Sequence, residues 1–148
     1  MTFWLAPSVL IDFVAAPAIF RNVSSLQEAG TLGMVIFKSF NSLELGLSLI
    51  ILLIGALLVN EKKLKKAWLG FFVLMVFFAA FFRFHVSPTI VEVNTQRWEL
   101  SEESEEYKSL LSTHNFYHGL YVKMEGTKVI FLLGAIILVL RRKEEEVI

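Results

Sequence analysis

The segment HNFYHGLYVKMEGTK (residues 114–128) runs without a break into VIFLLGAIILVL (residues 129–140), and this junction decides the fold. The apolar half is typical of a membrane helix, in which charged side chains are costly and usually face the interior of a bundle. His114, His118 and Glu125 share one helical face because successive residues turn by about 100°. Lys128 lies at the edge of that face. The pattern predicts a membrane helix whose polar side needs partners from other helices.

The composition of the whole chain also indicates a membrane protein. The 148 residues are 55% hydrophobic, with a mean hydropathy of +0.62 and several long apolar runs. This length suffices for a single domain of four membrane spans and their connections. The absence of cysteine excludes disulfides, thiolate metal sites and a cysteine nucleophile. The formal net charge of zero argues against nucleic-acid binding.

We predict an all-α integral membrane four-helix bundle, folded as one domain over residues 1–148. The helices are expected at residues 2–20, 32–59, 67–85 and 114–140. An earlier start for the second helix, at Leu26, is the alternative, because Ser24 or Ser25 followed by Glu28 has the spacing of a capping box. Ser87-Pro88-Thr89 is expected to stop the third helix, because proline cannot donate a helical hydrogen bond.

A polar connection between helices three and four is expected outside the membrane, over residues 89–113. Ser101 is a candidate N-cap, and a helix that begins there would run directly into the fourth span. The orientation follows from two basic segments, residues 62–66 and 141–143, because Lys and Arg are enriched in cytoplasmic loops. Four spans place both segments in the cytoplasm together with both termini. Residues 144–148 are expected to form a short tail.

Polar residues within the spans concentrate toward the outer side of the predicted bundle. We expect them to line an outward-facing cavity that is closed by the apolar inner halves of the helices. The predicted polar network consists of Asp12, Lys38, Asn41, Arg83 and Lys128. Its cations are expected to pair with Asp12, Glu44 and Glu125, which limits the cost of burying charge. The alternative is a salt-bridge network that only fixes the positions of the helices.

The histidines and carboxylates of this region suggest a site for a metal ion or another small ligand. The candidate metal ligands are His85, His114, His118, Glu44 and Glu125. Imidazole and carboxylate ligands suit zinc, iron, manganese or copper(II). A haem protein is the alternative, with His85 and His118 as axial ligands. The cofactor is therefore left open between a transition metal and haem.

Other classes of function receive less support from the sequence. There is no Ser-His-Asp spacing, phosphate-binding loop or zinc-protease motif, so an enzyme is not the favoured class. A structural or assembly protein without a ligand stays an alternative. The lipid bilayer is the expected partner, and small residues in the spans would allow close contacts in a homodimer.

Several short motifs carry a resemblance to a known family. They are FVAAPAIFR (residues 13–21), EAG (28–30), Phe37 with FN (40–41), VSP (86–88) and FYHG (116–119). In this order and spacing, the chain resembles the family that includes transmembrane protein 205, whose bacterial members are described only as a domain of unknown function. The resemblance implies a four-helix membrane protein, similar in layout to copper-resistance-D-like domains. The vertebrate member is linked with resistance to a platinum drug, so both hints point toward metals. The positions that match are Pro17, Phe20, Gly30, Asn41 and His118.

Overall fold

The computed structural model describes residues 1–145 of the chain, and the side chains of residues 1–141. Four long helices make up this part of the chain: α1 (Thr2–Asn22), α2 (Leu26–Asn60), α3 (Ala67–Trp98) and α4 (Glu105–Glu145). The described residues contain no strand. The prediction of an all-α fold with four helices is therefore confirmed.

The surface of the bundle is apolar, as expected of a membrane protein. Leu53, Phe77 and Leu138 are each at least 60% exposed, and they belong to three different helices. Soluble monomers rarely expose large contiguous apolar surfaces. In the described part of the chain, α1, α2 and α3 are long and apolar enough to cross a membrane. The chain is therefore a membrane protein.

The second helix begins at Leu26, six residues before the start predicted at residue 32. Ser25 Oγ accepts a hydrogen bond from the Glu28 amide (3.1 Å), and Glu28 Oε2 accepts one from the Ser24 amide (3.0 Å). The first bond satisfies a backbone donor that the first turn of a helix leaves free, and the second satisfies the donor of the residue before the N-cap. The alternative start, read from the capping box, is thus the correct one.

The prediction that Ser87-Pro88-Thr89 stops the third helix is wrong, because α3 continues to Trp98. A π-helical turn at Phe82–Val86 directly precedes the proline segment. Such a turn widens the helix by one residue, and this relieves the clash between a proline ring and the carbonyl four residues earlier. Pro17 in α1 follows the π-helical turn Ile11–Ala15 in the same way.

The connection between α3 and α4 is much shorter than the predicted residues 89–113. Only residues 99–104 separate the two helices, and the rest of the polar sequence is helical. Ser104, rather than Ser101, is the N-cap, since its Oγ accepts a hydrogen bond from the Tyr107 amide (3.1 Å). As predicted, the polar helix runs directly into the fourth span: α4 begins at Glu105, nine residues before the predicted start at residue 114. Residues 144 and 145 of the predicted tail belong to α4, and residues 146–148 lie outside the described part.

Two apolar clusters form the core of the bundle. One contains Trp4, Met75, Ala79 and Leu132, and the other contains Phe82, Val86 and Tyr121. The Nζ atom of Lys128 lies 5.9 Å from the ring of Trp4 and 5.6 Å from the ring of Phe82. A buried charged group therefore lies between the two apolar clusters.

Candidate functional site

Glu44 is the centre of the buried polar network and joins three helices. Its side chain is fully buried in α2. Its Oε1 atom accepts hydrogen bonds from Trp4 Nε1 (2.6 Å) and Ser8 Oγ (3.2 Å) of α1, and from Lys128 Nζ of α4. A buried carboxylate needs this kind of pairing to offset its loss of water. Glu44 thus holds α1 and α4 against α2.

Two carboxylates and three aromatic rings surround the side-chain nitrogen of Lys128. Besides bonding Glu44, its Nζ lies 2.5 Å from Oε1 of Glu125, one turn earlier on α4. That contact is an ion pair without hydrogen-bond geometry. The rings of Trp4, Phe40 and Phe82 surround the ammonium at 5.6–5.9 Å, a distance at which aromatic faces attract a cation.

The network contains more acid than base. The carboxyl of Asp12, which lies in the π-helical turn of α1, is within reach of the carboxyl of Glu125. Among the residues whose side chains are described, Lys128 is the cation that faces this group of three carboxyls. Among the described residues, Asp12 Oδ2, Glu44 Oε2 and Glu125 Oε2 are buried without a hydrogen-bond partner. Oxygens of this kind are costly to bury, so they mark a place where a donor would bind favourably.

A second, uncharged set of hydrogen bonds lies beside the acidic group. Asn41 of α2 donates from Nδ2 to Ser87 Oγ of α3 (2.5 Å) and accepts at Oδ1 from the Tyr121 hydroxyl of α4 (3.3 Å). The ring of Tyr121 packs against those of Phe37 and Phe82, with centroids 5.4 and 4.7 Å away. Tyr121 and Ser87 also line an adjoining cavity.

This cavity has a volume of about 660 Å³ and is bounded by all four helices. Most of its wall is aromatic or aliphatic, from Phe13, Ala16, Pro17, Phe20, Leu26, Met34, Phe37, Ile90, Val91, Trp98, Tyr121, Val122 and Val129. Asp12 and Glu125 contribute carboxyls to the wall, and Arg97 and His114 contribute basic groups. Glu125 and His114 are eleven residues apart on α4, which corresponds to about 16 Å along the helix.

The predicted metal ligands are brought together only in part. His114, His118 and Glu125 line the cavity, whereas Glu44 lies behind the wall. His85 is exposed and packs on the rings of Phe81 and Tyr117. The rings of His114 and His118 are stacked, with centroids 5.7 Å apart. In the part of the chain that the structure describes, no group of three His, Asp or Glu side chains is arranged to hold a metal ion.

Two predicted members of the polar network lie away from the carboxyls. Lys38 is exposed on α2, because six residues of helix rotate it by about 240° from Glu44. The guanidinium of Arg83 lies over the neighbouring ring of Phe84, at 5.7 Å. Neither residue forms an ion pair with another described side chain. Of the predicted cations, Lys128 alone reaches the carboxyls within this part of the chain.

Sequence reasoning missed the contribution of Trp4 and Ser8, which bind Glu44 from α1. A signal for them exists, because Trp4, Ser8 and Asp12 are spaced by four residues. Residues with this spacing share one face of a helix. This shared face was overlooked because a single tryptophan or serine in an apolar span does not by itself indicate a polar contact.

Comparisons with known proteins identify the family but no characterised relative. No curated protein matches the chain significantly, and neither does any solved structure. The family described as domain of unknown function DUF4149 matches residues 1–99. This match covers α1, α2 and α3, with Asp12 and Glu44, and leaves α4 outside it. Because it spans about two thirds of the 148 residues, the chain belongs to the DUF4149 family.

Proposed function

We propose that this chain is a four-span membrane protein that binds a small ligand in the cavity, which opens to the outer side of the membrane. The observation that carries the proposal is the side chain of Glu125, which is 4% exposed and lies on the cavity wall. Its Oε2 has no hydrogen-bond partner among the described residues. Leaving such a group unsatisfied costs about 1–3 kcal/mol, which a ligand with a suitable donor recovers.

The size and lining of the cavity support the same proposal. Small-molecule sites have volumes of roughly 300–1,000 Å³ and are mostly apolar, with a few polar groups that orient the ligand. The cavity of about 660 Å³ falls within this range, and its aromatic and aliphatic wall carries two carboxyls, Asp12 and Glu125.

A membrane-spanning α4 is part of the proposal, although α4 is less apolar than the other three helices. Its charged residues Glu125 and Lys128 are buried against Glu44 rather than turned to lipid. Charges that pair inside a bundle are tolerated in a membrane helix. The basic segment at residues 62–66 supports an orientation with both termini in the cytoplasm.

Single-cysteine labelling tests whether the cavity admits small solutes from outside, and the cysteine-free sequence makes each variant unambiguous. Met34→Cys places a thiol on the cavity wall, and Met75→Cys is the matched control in the buried apolar cluster. A small, membrane-impermeant methanethiosulfonate reagent added to intact cells should modify Met34→Cys and not Met75→Cys.

A second substitution links this reactivity to the cavity itself. Gly33 lies on the cavity wall, and a Cβ atom there would contact nothing within 4 Å, so leucine would fill the space. Gly33→Leu should slow the labelling of Met34→Cys about tenfold or more. Gly46→Leu, at an equally open position on the exterior of α2, should leave it unchanged. An unreactive Met34→Cys, or equal effects of the two leucines, would contradict the proposal.

A metal ion as the ligand is a second candidate, favoured by the stacked pair of His114 and His118, which line the same cavity as Glu125. The resemblance to the transmembrane protein 205 family points in the same direction. Elemental analysis of the detergent-purified protein tests this candidate, and a stoichiometric metal that is lost in His118→Ala would support it. A Soret band in the absorption spectrum would instead support the haem alternative with His85 and His118.

A further inference from the structure

We infer that the cavity recognises the ammonium group of a small organic amine, with Asp12 and Glu125 as its binding carboxyls and the aromatic wall as the site of its apolar body. This inference rests on the proposed function, because it names the class of ligand for the same cavity. It is carried by three independent features of the site: its charge, its hydrogen-bonding groups and its wall.

The charge of the site favours a cation. The groups that face Glu125 are Asp12 from α1, Glu44 from α2 and Lys128 from α4, while α3 places the ring of Phe82 against the lysine. When all are ionised, the cluster carries two more negative charges than positive ones. Lys128 is held between Glu44 and Glu125 by the surrounding rings. A second cation would therefore be bound without displacing the first.

The hydrogen-bonding groups favour a donor with no acceptor. The donors of Trp4, Ser8 and Lys128 converge on one oxygen of Glu44, and the Tyr121 hydroxyl donates to Asn41. Among the described residues, no donor bonds Oδ2 of Asp12 or Oε2 of Glu125. A primary ammonium offers three N–H donors and no acceptor, so it matches these oxygens. A ligand with a carboxylate or phosphate would instead place further acceptor oxygens against these carboxyl oxygens, and no hydrogen bond would form.

The wall of the cavity favours a ligand whose ammonium is attached to an apolar group that can pack against aromatic rings. Phe13, Phe20, Phe37 and Tyr121 contribute aromatic rings to the wall. Burial of apolar ligand surface is favourable by about 25 cal/mol per Å², and ring faces also attract a nearby cation. A bare metal ion or a simple ammonium ion would leave this surface unused.

The basic groups of the cavity do not neutralise the acidic end. The guanidinium of Arg97 lies over the ring of Tyr107, with its centre 5.7 Å from the ring centroid. Its neighbour on the wall, His114, is about 16 Å along α4 from Glu125. An anionic ligand would instead bind at the basic end of the cavity. The charge of the ligand that binds most tightly therefore shows which end of the cavity determines binding.

Protons compete with the amine for the same carboxyls. A carboxylate oxygen that has taken up a proton can no longer accept an N–H donor of the ammonium in its ionised form. The affinity for the amine should therefore fall as the pH is lowered, because protons occupy the binding carboxyls.

Three probes of nearly identical shape test the inference: phenylbutylamine, phenylbutanol and phenylbutyrate. Isothermal titration of the full chain in detergent should show the amine binding about ten- to hundredfold more tightly than the alcohol, since hydrogen bonds to charged groups contribute roughly 1.5–3 kcal/mol. Asp12→Asn should lose about tenfold or more of the amine affinity and leave the alcohol affinity unchanged. Glu92→Gln, which neutralises an exposed carboxyl of α3, is the matched control and should change neither.

Asp12→Asn is chosen because it leaves the ion pairs of Lys128 with Glu44 and Glu125 in place, and circular dichroism verifies its fold. Equal affinities for amine and alcohol, or preferential binding of the carboxylate, would overturn the inference. Failure of all three probes while Met34→Cys still reacts from outside would reject the amine and leave the small-ligand cavity standing. Repeating the titration in phosphatidylethanolamine and phosphatidylcholine nanodiscs identifies the source of the ammonium group. If the amine probe binds more weakly only in phosphatidylethanolamine, the lipid headgroup competes for the site, and the site is assigned to a lipid amine. If the probe binds equally in both, the site is assigned to a free amine.

Discussion

Replacement of Lys128 by methionine, which is one heavy atom shorter and uncharged, should destabilise the bundle strongly. Lys128 and Glu44 are both completely buried, and Lys128 also pairs with Glu125. The substitution leaves buried carboxylates without their cation, and removing one member of a buried ion pair costs about 3–5 kcal/mol. Because folded proteins are typically stable by only about 5–15 kcal/mol, this is a large fraction of the total.

Lys108→Met is the matched control for this effect. Lys108 also pairs with a carboxylate, that of Glu105 at 2.6 Å, but the two side chains are 57% and 90% exposed. Exposed pairs one helical turn apart contribute about 0.3–0.5 kcal/mol. The two lysine variants should therefore differ about tenfold in their loss of unfolding free energy.

The double variant Glu44→Gln/Lys128→Met separates unpaired charge from lost packing. Replacing both partners of a buried ion pair by uncharged groups is often nearly neutral, so the double variant should be more stable than Lys128→Met alone. The assay is the loss of helical circular dichroism as the mole fraction of SDS in mixed micelles is increased. The reasoning fails if Lys128→Met and Lys108→Met differ by less than about 1 kcal/mol, or if the double variant is the least stable of the three.

Three further predictions concern the fold and its orientation. Gly55→Ala should destabilise the protein by about 1–3 kcal/mol in the same SDS titration, because the new Cβ would lie 2.3 Å from two ring atoms of Phe72, whereas Gly46→Ala should be neutral or slightly stabilising. Ser104→Ala should cost about 1 kcal/mol through loss of the N-cap of α4, and amide hydrogen exchange in the first turn of α4 should accelerate. Glu103→Cys should be labelled by an impermeant maleimide in intact cells, and protection there would overturn the proposed orientation.

The helices were predictable because hydropathy records which segments lie in lipid, but their ends depended on local chemistry. The capping box at Ser25 and Glu28 was visible in the sequence and gave the correct start of α2. The continuation of α3 beyond Pro88 was not visible, because it depends on a π-helical turn in the preceding five residues. Nothing in a hydropathy profile distinguishes a proline that ends a helix from one that follows such a turn.

The types of residue in the site were predictable, but their pairing was not. Charged residues within apolar segments singled out Glu44, Glu125 and Lys128, because such residues must find partners in a bundle. Choosing among Lys38, Arg83 and Lys128 as those partners requires the rotation of each helix about its axis. Successive residues differ by about 100° around the helix axis, so neighbouring positions can be buried and exposed. When a helix is apolar on all sides, its sequence does not show which side faces the bundle.

The three carboxyls of the network divide into two roles according to the donors that they receive. Glu44 binds donors from α1 and α4 on one oxygen, so its contribution is to hold the helices together. Asp12 and Glu125 share the cavity wall and lack donors for buried oxygens among the described residues. Lys128 cannot serve them both, because its ion pairs and its aromatic surroundings hold it beside Glu44. The surplus of acid therefore lies on the side of the network that faces the cavity, where a ligand rather than another helix can satisfy it.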